Sequence, residues 1–251
     1  MMREDTVFGP IQSRRLGSSL GLNLLPRNGK LCNFDCIYCE CGWNRDGMQD
    51  RELPAVEEVE AALRAKLTAC AAAGTPIDSI TFSGDGEPTL HPDFAEIIDR
   101  TIALRDAFFP KAAVSVLTNA TRVGKDSVFR ALRKVDNPIL KLDAPTDALA
   151  AKINRPAGGY SVAETVKAMA RFEGNFVLQT MFLRGRDFDS ASPEVLLPWM
   201  DIVRKLSPRE VMVYTIDRPA PEEGLQKIPA EEMAALVAPL VAEGFKVQVR
   251  G

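Results

Sequence analysis

The sequence predicts an α/β fold organised on a parallel sheet. Three observations predict it. Strand-like apolar runs alternate with helical segments along the chain. Those runs read as unbroken rather than alternating, which suits strands covered on both faces. No Pro/Ser-rich linker or shift in composition divides residues 1–251, so the chain reads as a single domain. With 46% hydrophobic and 26% charged residues, it has enough apolar material to bury a core and is no candidate for disorder.

The elements follow in order. Leu20 to Leu25 is the first strand, and a cysteine-rich loop follows it. Pro54 to Ala73 is a helix: Val56, Val59, Leu63, Leu67 and Cys70 recur at helical spacing, and Pro54 suits a first helical position. Ile77 to Phe82 is a strand. Pro92 opens the next helix, with Phe94, Ile97 and Ile98 facing inward. Ala113 to Leu117 is a strand, Asp126 to Lys134 a short helix, and Ile139 to Leu142 a strand. Val162 to Phe172 is a helix and Phe176 to Phe182 a strand. Ser192-Pro193 starts a helix that runs to Leu206, where Pro198 is expected to kink or split it. Val211 to Tyr214 is a strand. Pro229 to Glu243 is a helix stopped by Gly244 and disturbed by Pro239, and Phe245 to Val249 is the last strand. A β-α unit repeated about six times gives either an open doubly wound sheet or a full or partial β/α barrel. Both place chemistry at the C-terminal ends of the strands.

Charge and composition exclude several functions. The net charge of −3 argues against tight, sequence-independent binding to a phosphate backbone, while a local basic pocket remains compatible with it. No run approaches the roughly 20 apolar residues of a membrane helix. The start, MMREDTVFGP, has no apolar signal segment, so a cytoplasmic location is expected. His91 is the one histidine, and any triad or multi-histidine metal site would have to use it.

The cysteines carry more. Cys32, Cys36, Cys39 and Cys41 crowd the loop after the first strand, and Cys70 stands apart. An odd count without a signal segment is a poor disulfide framework, and a tight cluster in a reducing compartment binds metal or does redox chemistry. Cys32, Cys36 and Cys39 have the spacing C-x3-C-x2-C. Three thiolates hold three irons of a 4Fe–4S cube and leave the fourth iron open to a substrate or cofactor. A tetrahedral zinc with His91 or Cys41 as fourth ligand is the alternative, although zinc sites favour paired C-x2-C knuckles and only one is present. Cys41 either ligates or merely lies nearby. Cys70, on an apolar helical stripe, is a buried structural thiol.

Polar residues follow the later strands. After the second comes FSGDGEPTLHP, where Gly84 and Gly86 let the backbone approach a ligand closely and Glu87 offers a carboxylate to an ammonium. It is no P-loop, since Gly-Lys-Ser/Thr is missing. The third strand ends in Thr118-Asn119 and the fourth carries Lys141 and Asp143. The fifth carries Gln179 and Thr180, and the sixth ends Thr215-Ile216-Asp217-Arg218. Such groups either bind a ribose and a carboxylate or cap turns. Arg14, Arg15 and Arg155, with Gly158-Gly159, are on loops where an arginine grips an anionic substrate or stands solvated. His91, just before a Pro-led helix, is expected to cap it.

With Tyr38 directly before the last cysteine of C-x3-C-x2-C, the chain resembles the radical S-adenosylmethionine (SAM) superfamily. The resemblance implies a partial (β/α)6 TIM-type barrel and a site-differentiated 4Fe–4S cluster held by Cys32, Cys36 and Cys39. It implies SAM on the open iron and reductive cleavage to methionine and a 5′-deoxyadenosyl radical, with the cofactors doing the hard chemistry. Gly84-Asp85-Gly86-Glu87 matches the family's motif for the methionyl amine, with Asp85 in place of a simple Gly-Gly. By the same resemblance Thr118, Asn119, Lys141, Asp143 and Gln179 contact the ribose and methionyl carboxylate, Tyr38 lies in the cofactor site, and backbone near Ile216 touches adenine. A flavodoxin or ferredoxin is the implied electron donor.

The stretches SRRLGSSLG, SGDGEPTLHP, LTNAT, KLDAP, INRPAG, LQTMFLRG and DRPAP, with the cysteine motif, follow the order of the wyosine-synthase-like group. Members of that group that modify tRNA carry additional N-terminal cysteines and basic surface; here no cysteine precedes Cys32 and the chain is acidic. The expectation is therefore a radical SAM enzyme of unassigned substrate, an RNA or a protein among the choices. The other classes are an activating enzyme for a partner protein and a non-catalytic iron–sulfur or zinc protein.

Overall fold

The computed structural model describes residues 5–13, 16–47 and 50–251. Arg14 and Arg15 lie outside the described residues. Two compact units are formed. One takes the described part of 1–32 with Asn44–Thr118 and Lys125–Pro138; the other takes Asn33–Trp43, Asn119–Gly124 and Ile139–Gly251.

The first unit contains β1 (Val7–Ser13), β2 (Gly17–Leu22), α1 (Val56–Ala72), β3 (Ser79–Phe82), α2 (Phe94–Phe108), β4 (Ala113–Thr118) and α3 (Asp126–Leu132). β2, β3 and β4 are parallel neighbours. β1, which the sequence pattern did not reveal, pairs antiparallel with β2. The strands alternate, contrary to the expectation of unbroken apolar runs. Leu20, Ile80 and Val114 stand side by side, as do Leu22, Phe82 and Val116, and all are buried. The opposite face carries small hydroxyl residues that bond to one another: Ser19 to Thr81 at 2.8 Å, Thr81 to Ser79 at 3.0 Å, and Ser79 to Ser115 at 3.0 Å. Small hydroxyls that satisfy each other can be buried without the penalty of an unpaired polar group. This is why the strands look apolar in bulk while only one face is.

The second unit continues β5 (Asn137–Lys141) from Ile139 and adds α4 (Asp147–Ile153), α5 (Val162–Ala170), β6 (Val177–Met181), β7 (Leu183–Gly185), β8 (Phe188–Asp189), α6 (Pro193–Leu206), β9 (Glu210–Tyr214), β10 (Gln226–Lys227), α7 (Ala230–Ala242) and β11 (Val247–Arg250). β5, β6, β9 and β11 are successive parallel neighbours. β10, β7 and β8 make a small antiparallel sheet, too short to leave a periodic signal in the sequence. One face of the parallel strands aligns Leu140, Leu178 and Val211, all fully buried. The other aligns Lys141, Gln179 and Met212.

Neither internal proline splits its helix. Pro198 and Pro239 lie on the exposed faces of α6 and α7, four residues after Glu194 and Ala235, which are also exposed. Water can therefore take the carbonyl that each proline leaves without a partner. Burial of Trp199, Met200, Val203 and Leu206 holds α6 together past the defect. Trp199 stands edge-on to Phe182 at 5.1 Å and donates to Thr180 Oγ1 at 3.0 Å. No helix among the described residues is long and apolar enough to cross a membrane.

Phe82 is fully buried on β3 and meets Phe94 of α2 edge-on at 6.1 Å. Phe82→Ala should cost about 3–5 kcal/mol of stability, from lost burial plus the cavity left behind. Denaturant titration checks this, and a loss under about 1 kcal/mol would mean the site collapses freely.

Candidate functional site

The site residues of the first unit are fixed by a backbone zipper. Leu31, directly before Cys32, forms a parallel bridge with Gly86. Its N–H donates to the Asp85 carbonyl at 3.0 Å, and its carbonyl accepts from the Glu87 N–H at 2.9 Å. Gly86 sits at φ +142°, and a Cβ there would lie 1.8 Å from the Leu31 carbonyl oxygen. At Gly84 a Cβ would lie 2.0 Å from Asn23 Oδ1, which accepts the Asp85 N–H. The close approach that both glycines permit is to the chain itself. Cys32 is partly exposed, and its carbonyl accepts from Asn44 Nδ2 at 3.2 Å.

Glu87 is 2% exposed. One carboxylate oxygen accepts from the Thr89 N–H at 3.1 Å, the Thr89 hydroxyl at 2.5 Å and the Thr118 hydroxyl at 2.6 Å. Thr118, at the end of β4, is thus part of a polar nest that holds the carboxylate in place. His91 is fixed structurally. Pro54 offers only a carbonyl, so Nε2–H donates to it at 2.9 Å and Nδ1 accepts from the Asp93 N–H at 3.1 Å, at the start of α2.

In the second unit, the loop 33–43 is stitched to the end of α4. Asp35 N–H donates to the Asn154 carbonyl at 2.9 Å, Ile37 N–H to Ile153 at 3.0 Å, and Ala157 N–H to Asn33 at 2.8 Å. A turn joins the next two cysteines, Cys39 N–H donating to the Cys36 carbonyl at 3.1 Å. Cys36 is buried, whereas Cys39 and Cys41 are partly exposed. Asn119 does not project freely: its amide donates to Asn33 Oδ1 at 2.8 Å, and its oxygen accepts from the Thr121 hydroxyl at 2.7 Å.

Beside Cys36 lies a charged network. The Tyr38 hydroxyl donates to Asp143 Oδ2. Asn154 Nδ2 donates to the same oxygen at 2.7 Å and lies 3.2 Å from the Tyr38 hydroxyl and 3.4 Å from Cys36 Sγ. Asp143 Oδ1 accepts from the Met181 N–H at 2.9 Å and lies 3.5 Å from Lys141 Nζ. Lys141 also donates to the Tyr214 hydroxyl and stands 5.1 Å over the Tyr38 ring. Burial, with the Asp143 charge second, pushes the Cys36 thiol up to about 11 and the Tyr38 phenol well above its ordinary value. Burial works against the Lys141 ammonium, yet Asp143 and Tyr214 hold it above its ordinary value. Asp143, Lys141, Tyr38 and Cys36 were all expected at a site; Asn154 and Tyr214 were not assigned to one. Asn154 follows a helix that the sequence pattern did not show, and its only signal was the INRPAG stretch.

Gln179, beside Lys141 in register, is 4% exposed, and its side-chain nitrogen has no hydrogen-bond partner. An orphaned buried amide N–H calls for an acceptor from outside the chain. Sulfur donors close together in sequence suit an iron–sulfur cluster, and the unpaired amide suits a polar organic cofactor. Among the described residues, however, no three His, Cys, Asp or Glu side chains are gathered as they would be around a bound metal. A separate cleft of about 490 Å³ lies between residues 120–124 and α5, lined by Asn33, Thr121, Gly158, Gly159, Lys167 and Arg171 among others.

Residues 29–197 match the Radical SAM superfamily, and the chain belongs to it. It is 31% identical over 220 residues to a UPF0026 protein of Helicobacter pylori, covering 85% of this chain and 67% of that protein. Among solved structures it is similar to a radical SAM methyltransferase from Sphaerobacter thermophilus, with a TM-score of 0.70 at 18% identity over 92% of this chain and 65% of that one. Streptococcus suis SuiB bound to S-adenosylmethionine gives a TM-score of 0.64 at 16% identity, over 92% of this chain and 50% of that one. The chain thus spans about two thirds of the methyltransferase and half of SuiB. The likeness shows the fold, a partial (β/α) barrel of the radical SAM kind. Membership brings a 4Fe–4S cluster and SAM as cofactors, and SAM-cleaving radical chemistry as the general activity.

Gly86→Ala should destabilise the first unit by about 2–4 kcal/mol, since it adds both a left-handed strain and a clash with Leu31. Thermal unfolding checks it; an unchanged melting temperature would mean that the Leu31–Gly86 bridge gives way cheaply.

Proposed function

We propose that residues 1–251 act as one radical SAM core that abstracts a hydrogen atom from its substrate, with Cys32, Cys36 and Cys39 as the cluster ligands. The observation that carries this is Glu87, a carboxylate buried to 2% exposure by three donors, one β-α unit after the cysteine loop. When bound, the 4Fe–4S cluster and SAM supply a one-electron cleavage that yields methionine and a 5′-deoxyadenosyl radical. The chain's own residues bind and orient. Glu87 accepts the methionyl ammonium, and Thr118 keeps the carboxylate aimed. Gly84, Asp85 and Gly86 hold the loop that carries it. Gln179 donates its orphaned N–H to the nucleoside or carboxylate. Lys141 supplies positive charge to the methionyl carboxylate, while Asp143, Tyr38 and Asn119 keep the surrounding loops in place. Burial of Cys36, Tyr38, Asp143 and Asn154 keeps water from this side of the site.

A flavodoxin or ferredoxin in the cytoplasm supplies the electron. The order of the motifs, which follows the wyosine-synthase-like group, makes RNA the first substrate class to test and a partner protein the second. The test is anaerobic reconstitution followed by dithionite and SAM. Formation of 5′-deoxyadenosine supports an active radical enzyme, and its absence with a full cluster leaves only a carrier. Labelled hydrogen appearing in 5′-deoxyadenosine then separates RNA from protein substrates.

Two variants test the residues. Cys36→Ala should abolish the thiolate–iron absorbance at roughly 400 nm; a full cluster in that variant rejects the ligand assignment. Glu87→Ala should leave the cluster intact and weaken SAM binding by about tenfold or more, as expected for losing a buried charged hydrogen bond. Equal affinity by equilibrium dialysis would remove Glu87 from the SAM site.

A further inference from the structure

An amide nitrogen has two hydrogens to give, and Asn154 Nδ2 has three acceptors within reach. Asp143 Oδ2, at 2.7 Å, takes one. The second falls between the Tyr38 hydroxyl at 3.2 Å and Cys36 Sγ at 3.4 Å. A carboxylate can only accept, so Asp143 fixes which end of the amide is nitrogen and which is oxygen. The residue cannot swing away. It is 3% exposed, its N–H donates to the Ala150 carbonyl at 2.8 Å, and its carbonyl accepts from Asp35 in the cysteine loop at 2.9 Å.

We propose that Asn154 is a positioning residue that holds an N–H on the sulfur of Cys36 and thereby sets the reduction potential of the cluster. This rests on the reading of Cys36 as a cluster ligand. A donor to a ligating sulfur stabilises negative charge there, and one-electron reduction adds negative charge to the cluster and its sulfurs. The N–H thus favours the reduced state, and losing it shifts the potential downward. Asn154 itself neither ligates iron nor meets SAM in this role; it acts through Cys36.

The test uses the full chain, reconstituted anaerobically with iron and sulfide and titrated with dithionite under EPR detection. Asn154→Ala should hold the wild-type iron content and melt somewhat lower, because Asp143 loses a donor, with a midpoint shifted to more negative potential. A wild-type midpoint in that variant overturns the proposal. If Asn154→Ala takes up no iron, Asn154→Ser decides, because its hydroxyl keeps a polar group at this position but is one bond shorter than the amide and gives up the contact with Cys36 Sγ. A wild-type midpoint in the serine variant overturns the proposal. Iron uptake by the serine variant, with a midpoint below wild type, supports the assignment, and failure of both variants to load iron overturns it. Cys36→Ala is run in parallel: a full cluster there defeats the ligand reading itself, whatever the Asn154 variants do.

Discussion

A carboxylate buried as deeply as Asp143 has to be satisfied by the chain, and the second unit is organised by that demand. An unpaired buried charge is costly enough that proteins pair it or neutralise it. Here four groups converge on it. Tyr38 comes from the cysteine loop, Asn154 from the end of α4, the Met181 N–H from the end of β6, and Lys141 from β5. Each belongs to a different segment, so satisfying one carboxylate fixes the positions of all four. Removing Asp143 would take the shared acceptor from Tyr38, Asn154 and the Met181 N–H together and the counter-charge from Lys141, which is why its effect should exceed that of any single hydrogen bond.

The first unit solves the same positioning problem with backbone alone. Leu31 gives an N–H and a carbonyl to the loop Asp85–Glu87, and only a glycine at position 86 leaves room for that exchange. The result is that Glu87 emerges from a segment tied to Leu31, and its carboxylate is held by the N–H and hydroxyl of Thr89 and the hydroxyl of Thr118. Packing of Leu22, Phe82 and Val116 on one face of the strands makes the platform rigid. The hydroxyl ladder on the other face keeps the strands close without bulky side chains.

What the sequence made legible was whatever has a period or a motif. The helical stripe of Val56, Val59, Leu63, Leu67 and Cys70 is buried in α1 as its spacing implies. The parallel strands stand close to their expected bounds. The hairpin of β1 and β2 was not legible, because its pairing is antiparallel and its exposed positions include Pro10 and Ile11, which break any alternation. The cysteine loop and the GDGE loop were legible as motifs, but the reason for the glycines was not. Gly84 and Gly86 make way for Asn23 and Leu31, contacts that only tertiary structure reveals. Asn154 was hidden for the same reason. Its partners are 118 and 11 residues away, Cys36 and Asp143, and nothing local to it marks the meeting.

Burial does most to hold the Cys36 thiol protonated, with the Asp143 charge next; the Asn154 N–H and then Lys141 work the other way. Asp143 opposes negative charge on the sulfur, and Lys141 favours it. Those two lie 3.5 Å apart, where opposite charges at an effective dielectric of ~20 attract by roughly 5 kcal/mol. A pair so close presents a dipole, not a net charge, and its field falls off quickly with distance. The Asn154 N–H lies within reach of the sulfur, shared with the Tyr38 hydroxyl, and a hydrogen bond to a thiolate contributes on the order of 1.5–3 kcal/mol. Asp143 thus works against a thiolate directly and for it indirectly, because it is the group that anchors the amide beside the sulfur. The carboxylate would be a poor neighbour for a metal-bound cysteine on its own; paired with Lys141 and screened by Asn154, it becomes the anchor of that cysteine's surroundings.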